Sequence, residues 1–189
     1  MQSNLAYKEP YPDEWKHKEI IGGKVVMMAP ASTNHHRISF SISNIFYNFL
    51  KNRRCEYFPD GEALYLNEEE YYIPDGMVVC DPDKVRADGV HGAPDLVVEI
   101  LSPSTGRNDR THKKDVYERY GVREYWIVSP GDLSVEQYVL EDGRFVLRDI
   151  YYRYPDMEDG KPVNATEFQC SLFDDLTIHV EDVFGRVTV

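Results

Sequence analysis

Ala93-Pro94-Asp95-Leu96-Val97-Val98-Glu99-Ile100-Leu101-Ser102-Pro103-Ser104 is the stretch on which the fold turns. Its centre is apolar at nearly every position, the pattern of a strand buried on both faces of a sheet rather than on one. Pro94 and Pro103 bound it, and Glu99 stands inside it. A carboxylate in such a strand costs several kcal/mol unless it is paired, metal-bound or protonated. Glu99 is therefore either half of a structural ion pair or a metal ligand or general base.

Outward from this strand the elements alternate. Ile20 and Ile21, then Gly22-Gly23, then Val25 to Met28 read as a hairpin with a two-residue turn. Ser32, Thr33 and Asn34 are good helix N-caps. After them Ile38, Ile42, Ile45, Phe46, Phe49 and Leu50 recur at helical period and predict one amphipathic helix ending near residues 51–54. Short strands are expected over residues 55–58, 63–66, 76–80 and 95–101, with turn residues through 81–94. A second helix is expected from about Asp109 to Tyr120, stopped by Gly121. Residues 124–128 read as a strand, and Asp142-Gly143 as the turn of a hairpin over 135–151. The whole reads as one domain over residues 1–189, with residues 1–13 a loose arm and 131–189 a hairpin and C-terminal extension. Its class is mixed α/β (α+β), with one mixed sheet and a helix on each face.

Composition narrows the chemistry. The 189 residues carry 33 Asp and Glu against 21 Lys and Arg, a net charge of −12. That excludes a sequence-blind coater of DNA, which needs a broad basic footprint. It leaves room for an enzyme that engages nucleic acid through one local basic patch. Such a patch exists: residues 107–123 hold six Lys and Arg and three acids, whereas residues 131–189 hold thirteen acids and five Lys and Arg. Cys55, Cys80 and Cys170 form no CxxC pair and are too few for a disulfide framework, which fits a reducing compartment. No apolar run spans a bilayer, and a cytoplasmic location is expected.

Tyr72-Ile73-Pro74-Asp75-Gly76-Met77-Val78-Val79 supplies a second acid, Asp75, at the entry to another apolar strand. Pro-Asp-Gly is also a common turn, so Asp75 is a turn residue or a site residue. Two carboxylates on neighbouring strands and a lysine are what phosphodiester hydrolysis requires. A hard divalent cation acidifies water and polarises the phosphate, and a cationic group stabilises the charge of the transition state.

With these residues in place the sequence resembles the PD-(D/E)xK nuclease superfamily, and within it the Uma-two family of bacterial endonucleases. The resemblance rests on the Ser-Thr-Asn-His-His-Arg-Ile segment at His35, on YIPDGMVV, PDLVVEILSPST, NDRTHKK and YGVREYWIVSP, and runs from about residue 14 to 184. It implies a restriction-endonuclease-like core, a central mixed β-sheet flanked by helices, and Mg²⁺- or Mn²⁺-dependent cleavage of nucleic acid, DNA in the first place. It also implies Asp75 and Glu99 as metal ligands, with the carbonyl of Ile100 completing the shell. The superfamily lysine would fall at position 101, which is Leu101 here. The matching cation is Lys113 in the following helix, with Lys114 its competitor. Replacing Lys113 is expected to leave the fold intact.

Further expectations follow for the neighbours. His35 has a site role or a helix-end hydrogen bond. Asp95 is structural, Asp109 caps the second helix, Arg110 pairs with a carboxylate, and Trp126 belongs to the core. Lys114 is expected to meet Glu118 as a solvated pair. A homodimer would supply two sites for duplex cleavage, with the aromatic stretch 138–154 as its interface or as hairpin core. The competing reading is a non-catalytic interaction or regulatory protein that keeps the fold.

Overall fold

The computed structural model describes residues 18–159 and 161–188; the expected arm over residues 1–13 lies outside them. The chain opens with the hairpin β1 (Lys18–Ile21) and β2 (Lys24–Met27). Gly22 and Gly23 have φ of 55° and 73°, the left-handed backbone such a turn demands. Helix α1 (Thr33–Leu50) follows, capped by Ser32, whose side chain accepts the His35 N–H. Ile38, Ile42, Phe46 and Leu50 form its buried stripe. Then come β3 (Glu56–Pro59), β4 (Leu64–Tyr65), β5 (Tyr71–Tyr72), β6 (Gly76–Val79), β7 (Val85–Arg86), β8 (Gly89–His91) and β9 (Leu96–Ile100).

The second helical run has three parts: α2 (Gly106–Asn108), a π-helical turn over Asp109–Lys113, and α3 (Lys114–Tyr120). Gly121, at φ 84°, closes it by donating to the Tyr117 and Glu118 carbonyls. Strands β10 (Glu124–Ser129), β11 (Ser134–Glu141) and β12 (Arg144–Tyr152) complete the central layer. The remainder is two small hairpins, β13 (Met157–Glu158) with β14 (Lys161–Pro162) and β15 (Glu167–Gln169) with β16 (Thr177–His179), and helix α4 (Val180–Phe184).

The central sheet has six strands in the order β12-β11-β10-β9-β6-β3. It is mixed, as expected: β9 runs parallel to β10 and antiparallel to β6. All five residues of β9 are buried, including Glu99. Its alternate side chains feed two cores. Leu96, Val98 and Ile100 pack with α1, Trp126 and α4, while Val97 packs with Met77, Tyr125 and the α3 residues Val116 and Tyr117. One helix on each face is what a strand apolar on both sides requires.

Several expectations are corrected. A second six-stranded sheet, β2-β1-β5-β4-β8-β7, lies beside the first, because the β1–β2 hairpin and the segment read as turns over 81–94 pair through β5, β4 and β8. The 134–152 hairpin extends the central sheet through β11–β10 pairing instead of forming an appendage. The C-terminal segment packs α4 and β16 against α1. Cys55 and Cys80, read as unpaired, form a disulfide. The β3–β6 register of Glu56 with Val79 makes them the next facing pair, with Cα atoms 3.9 Å apart despite 25 residues of separation.

Candidate functional site

The β6–β9 register pairs Gly76 with Val98 and Met77 with Val97. Carried one residue further, it sets Asp75 across from Glu99, and facing residues of antiparallel strands share a face. The Asp75 carboxylate then closes over the strand end. Its Oδ2 accepts the Ile100 N–H at 2.6 Å and its Oδ1 meets His35 Nε2 at 2.9 Å. Asp75, Glu99, Lys113 and His35 all line one cavity of roughly 1150 Å³. Four residues separated by up to 78 positions are thus brought to one wall.

Lys113, the last residue of the π-helical turn, points into the site. Such turns recur at functional sites. Its Nζ donates to Glu19 Oε1 at 2.9 Å and to Glu99 Oε1 at 3.1 Å, with Asp109 Oδ1 at 3.6 Å. Tyr117 Oη also donates to Glu99 Oε1, at 2.8 Å. The Lys113 side chain is 3 % exposed. Lys114 stands outside this group. Its ammonium lies over the Tyr138 ring, 4.1 Å from the centroid, and Glu118 instead binds Arg144 and the Phe145 N–H.

Asp109 does not cap a helix as expected: it lies inside the helical run, buried, with Lys113 and Thr105 as its polar neighbours. Glu19 went unread in the sequence, although Glu19-Ile20-Ile21 carries the same signal that singled out Glu99, an acid in an apolar strand. Arg110 pairs with Glu136 at 2.6 Å, Asp95 accepts the Cys80 N–H at the far end of the strand, and Trp126 is core, all as expected. Glu124 shows what a purely structural buried acid looks like. Trp126, Gln137 and Ser171 all donate to it, leaving it nothing to offer a ligand.

The electrostatics of the cluster are lopsided. Burial pushes the Glu99 carboxyl well above the usual range, with Lys113 opposing and Asp109, Asp75 and Glu19 adding to the rise. Asp109 is raised by burial too. Burial works against the Lys113 ammonium, but the fields of Glu99, Glu19 and Asp109 outweigh it and hold its pKa well above the ordinary value. Lys113 is thus charged, and the carboxylates around it outnumber it. The raised Glu99 and Asp109 carboxyls are ones whose ionised forms Lys113 alone under-compensates, and a divalent cation on oxygen ligands would favour their ionisation. Carboxylate and carbonyl oxygens of this kind suit a hard divalent cation.

A mixed central sheet between helices, with an Asp, a Glu and a Lys gathered where β6 begins and β9 ends, is the architecture of the restriction-endonuclease-like class. The chain belongs to the Uma2 family, whose model, described as "Putative restriction endonuclease", matches residues 6–172. Two uncharacterized proteins of Synechocystis sp. are similar to it. One is 34% identical over 126 residues, 66% of each chain; the other is 30% identical over 124 residues, 64% of this chain and 70% of its own. Among solved structures, a "putative nuclease belonging to DUF820" from Anabaena variabilis shares the fold, with a TM-score of 0.68 and 19% identity over 90% of this chain and 91% of its own. No helix among the described residues is long and apolar enough to cross a membrane.

Proposed function

We propose that this protein is a metal-dependent endonuclease that hydrolyses phosphodiester bonds of DNA. The observation that carries the reading is the convergence of Asp75, Glu99 and Lys113 on the wall of one cavity. Mg²⁺ or Mn²⁺ held by Asp75, Glu99 and the Ile100 carbonyl would acidify water and polarise the scissile phosphate. The protein's own groups do the rest. His35 and the Ile100 N–H fix the Asp75 carboxylate from two sides. Lys113 and Tyr117 fix Glu99 and exclude alternative rotamers. The Lys113 ammonium also puts a fixed positive charge beside the place where the phosphate gains negative charge. Arg107, exposed on the helical run that follows β9, offers a backbone contact that an overall acidic molecule otherwise lacks. A two-fold homodimer would present two such sites to a duplex.

One observation favours a non-catalytic interaction protein instead: Lys113 is bonded to two carboxylates and almost fully buried, as a purely structural ion would be. Cleavage of supercoiled plasmid, single-stranded DNA and RNA in Mg²⁺ and in Mn²⁺ separates the two. Wild type should cut, and Asp75→Asn and Glu99→Gln, checked for folding by circular dichroism, should each lose on the order of 10²-fold in rate. A wild type that cuts nothing with any divalent ion would put the interaction reading first.

A further inference from the structure

A different cluster borders the same cavity. His35 and His36 open α1, and Asp60 comes from the Pro59-Asp60-Gly61 turn between β3 and β4. One ligand atom from each of the three lies within 4.8 Å of the others, the one such grouping found among the described residues. Adjacent helix residues point about 100° apart and do not usually converge. Here the Asp60 turn crosses over the helix start, and Gly61, at φ 103°, gives that turn its left-handed backbone.

His35 supplies an independent pointer. Its Nε2 is engaged with Asp75 Oδ1 at 2.9 Å, whereas its Nδ1 is buried with no hydrogen-bond partner among the described residues. A buried ring nitrogen left bare is costly. An imidazole that gives one N–H to a carboxylate and keeps the other nitrogen free is the arrangement by which histidines are set as metal ligands, with the carboxylate fixing tautomer and ring orientation. The residue is 8% exposed, so the ring is held by its surroundings rather than by solvent. His36 and Asp60 are exposed and are free to close on an ion.

We propose that His35, His36 and Asp60 form a second cation site, for a divalent transition metal such as Zn²⁺ or Mn²⁺, next to the Asp75–Glu99 carboxylates. Two imidazoles and one carboxylate suit Mn²⁺, Co²⁺, Ni²⁺ or Zn²⁺ and disfavour Mg²⁺, which takes oxygen ligands. Three protein ligands leave positions open for water or for an anionic oxygen of a ligand in the cavity. His35 ties the two sites together, since the same ring would bind the ion through Nδ1 and hold Asp75 through Nε2. The proposal does not depend on the nuclease reading, because it concerns binding and not turnover.

The test uses the untagged full chain stripped of metal, titrated with Co²⁺ by visible absorption and with Zn²⁺ by calorimetry. Wild type should take up Co²⁺ with the visible bands of a nitrogen-ligated ion. His36→Ala and Asp60→Ala, both at exposed positions and folded by circular dichroism, should each weaken Co²⁺ and Zn²⁺ by about tenfold or more. Lys114→Ala, outside both clusters, should keep both the bands and the affinity. Wild-type-like binding by His36→Ala and Asp60→Ala overturns the proposal. So does loss of the Co²⁺ bands in Glu99→Gln alone, which would assign the ion to the carboxylate pair. Loss of plasmid cleavage in Glu99→Gln with Co²⁺ binding intact would support both readings at once.

Discussion

Lys113, 3 % exposed and 2.9 and 3.1 Å from Glu19 and Glu99, bears on stability as much as on chemistry. Its removal should therefore cost stability, against the expectation that the fold is spared. Without its ammonium, Glu19, Glu99 and Asp109 are left as buried acids with no cation between them. Breaking a buried ion pair from one side costs about 3–5 kcal/mol. Lys113→Ala should lower the urea midpoint accordingly. Lys113→Met in a Glu19→Gln background should be less destabilised than the two single changes added together, because each change removes the other's unpaired partner. Strict additivity would mean that the Lys113–Glu19 contact is energetically idle. For the same reason a cleavage assay of Lys113→Ala alone confounds lost catalysis with lost fold, and Glu99→Gln, which keeps volume and hydrogen-bonding capacity, is the cleaner probe.

Among the elements, α3 is fastened to the β11–β12 hairpin by one side chain. Glu118 accepts the Phe145 N–H at 2.6 Å and an Arg144 N–H at 2.7 Å. These two donors, the backbone one foremost, hold its carboxyl below the usual glutamate range. A carboxylate whose folded-state pKa is depressed contributes stability above its unfolded-state pKa, about 4.3. It loses that contribution as pH falls through the lower folded value. Glu118→Gln should therefore cost about 1 kcal/mol at neutral pH. The gap from wild type should narrow when urea unfolding is repeated below about pH 4. A gap independent of pH would show that packing, not charge, does the fastening. The same fastening explains why Lys114 has no partner in Glu118: the hairpin has already taken that carboxylate, and the lysine rests on Tyr138 instead.

For the whole molecule, the central sheet carries a core on each face, and neither core is closed by local sequence. Phe46 of α1 stacks on Tyr57 of β3 at 5.1 Å and tilts against Trp126 of β10 at 5.5 Å, so one ring joins the helix to both halves of the sheet. Phe46→Ala should cost about 3–5 kcal/mol. Circular dichroism and tryptophan fluorescence should still report one coincident transition, since both cores share β9 and β10. Transitions that separate by probe would mean that the two faces unfold independently.

Local physics written in the sequence determined the elements: the helical stripe of α1, the doubly apolar β9, the Gly22-Gly23 and Asp142-Gly143 turns and the stop at Gly121. Each depends on residues within one or two turns of each other, and so is legible as periodicity or turn chemistry. It also singled out Glu99 as a candidate, because an acid in an apolar strand has to be compensated wherever that strand lies; Asp75 and Lys113 were added by the resemblance. The tertiary structure alone decided the company they keep. Glu19 lies 94 residues from Lys113, and the Cys55–Cys80 pair and the second sheet depend on which strands become neighbours. His36 and Asp60 meet only because a turn crosses the start of a helix. No periodicity encodes such meetings; they are set by strand order and register, which minimise buried apolar and unpaired polar surface over the whole chain at once.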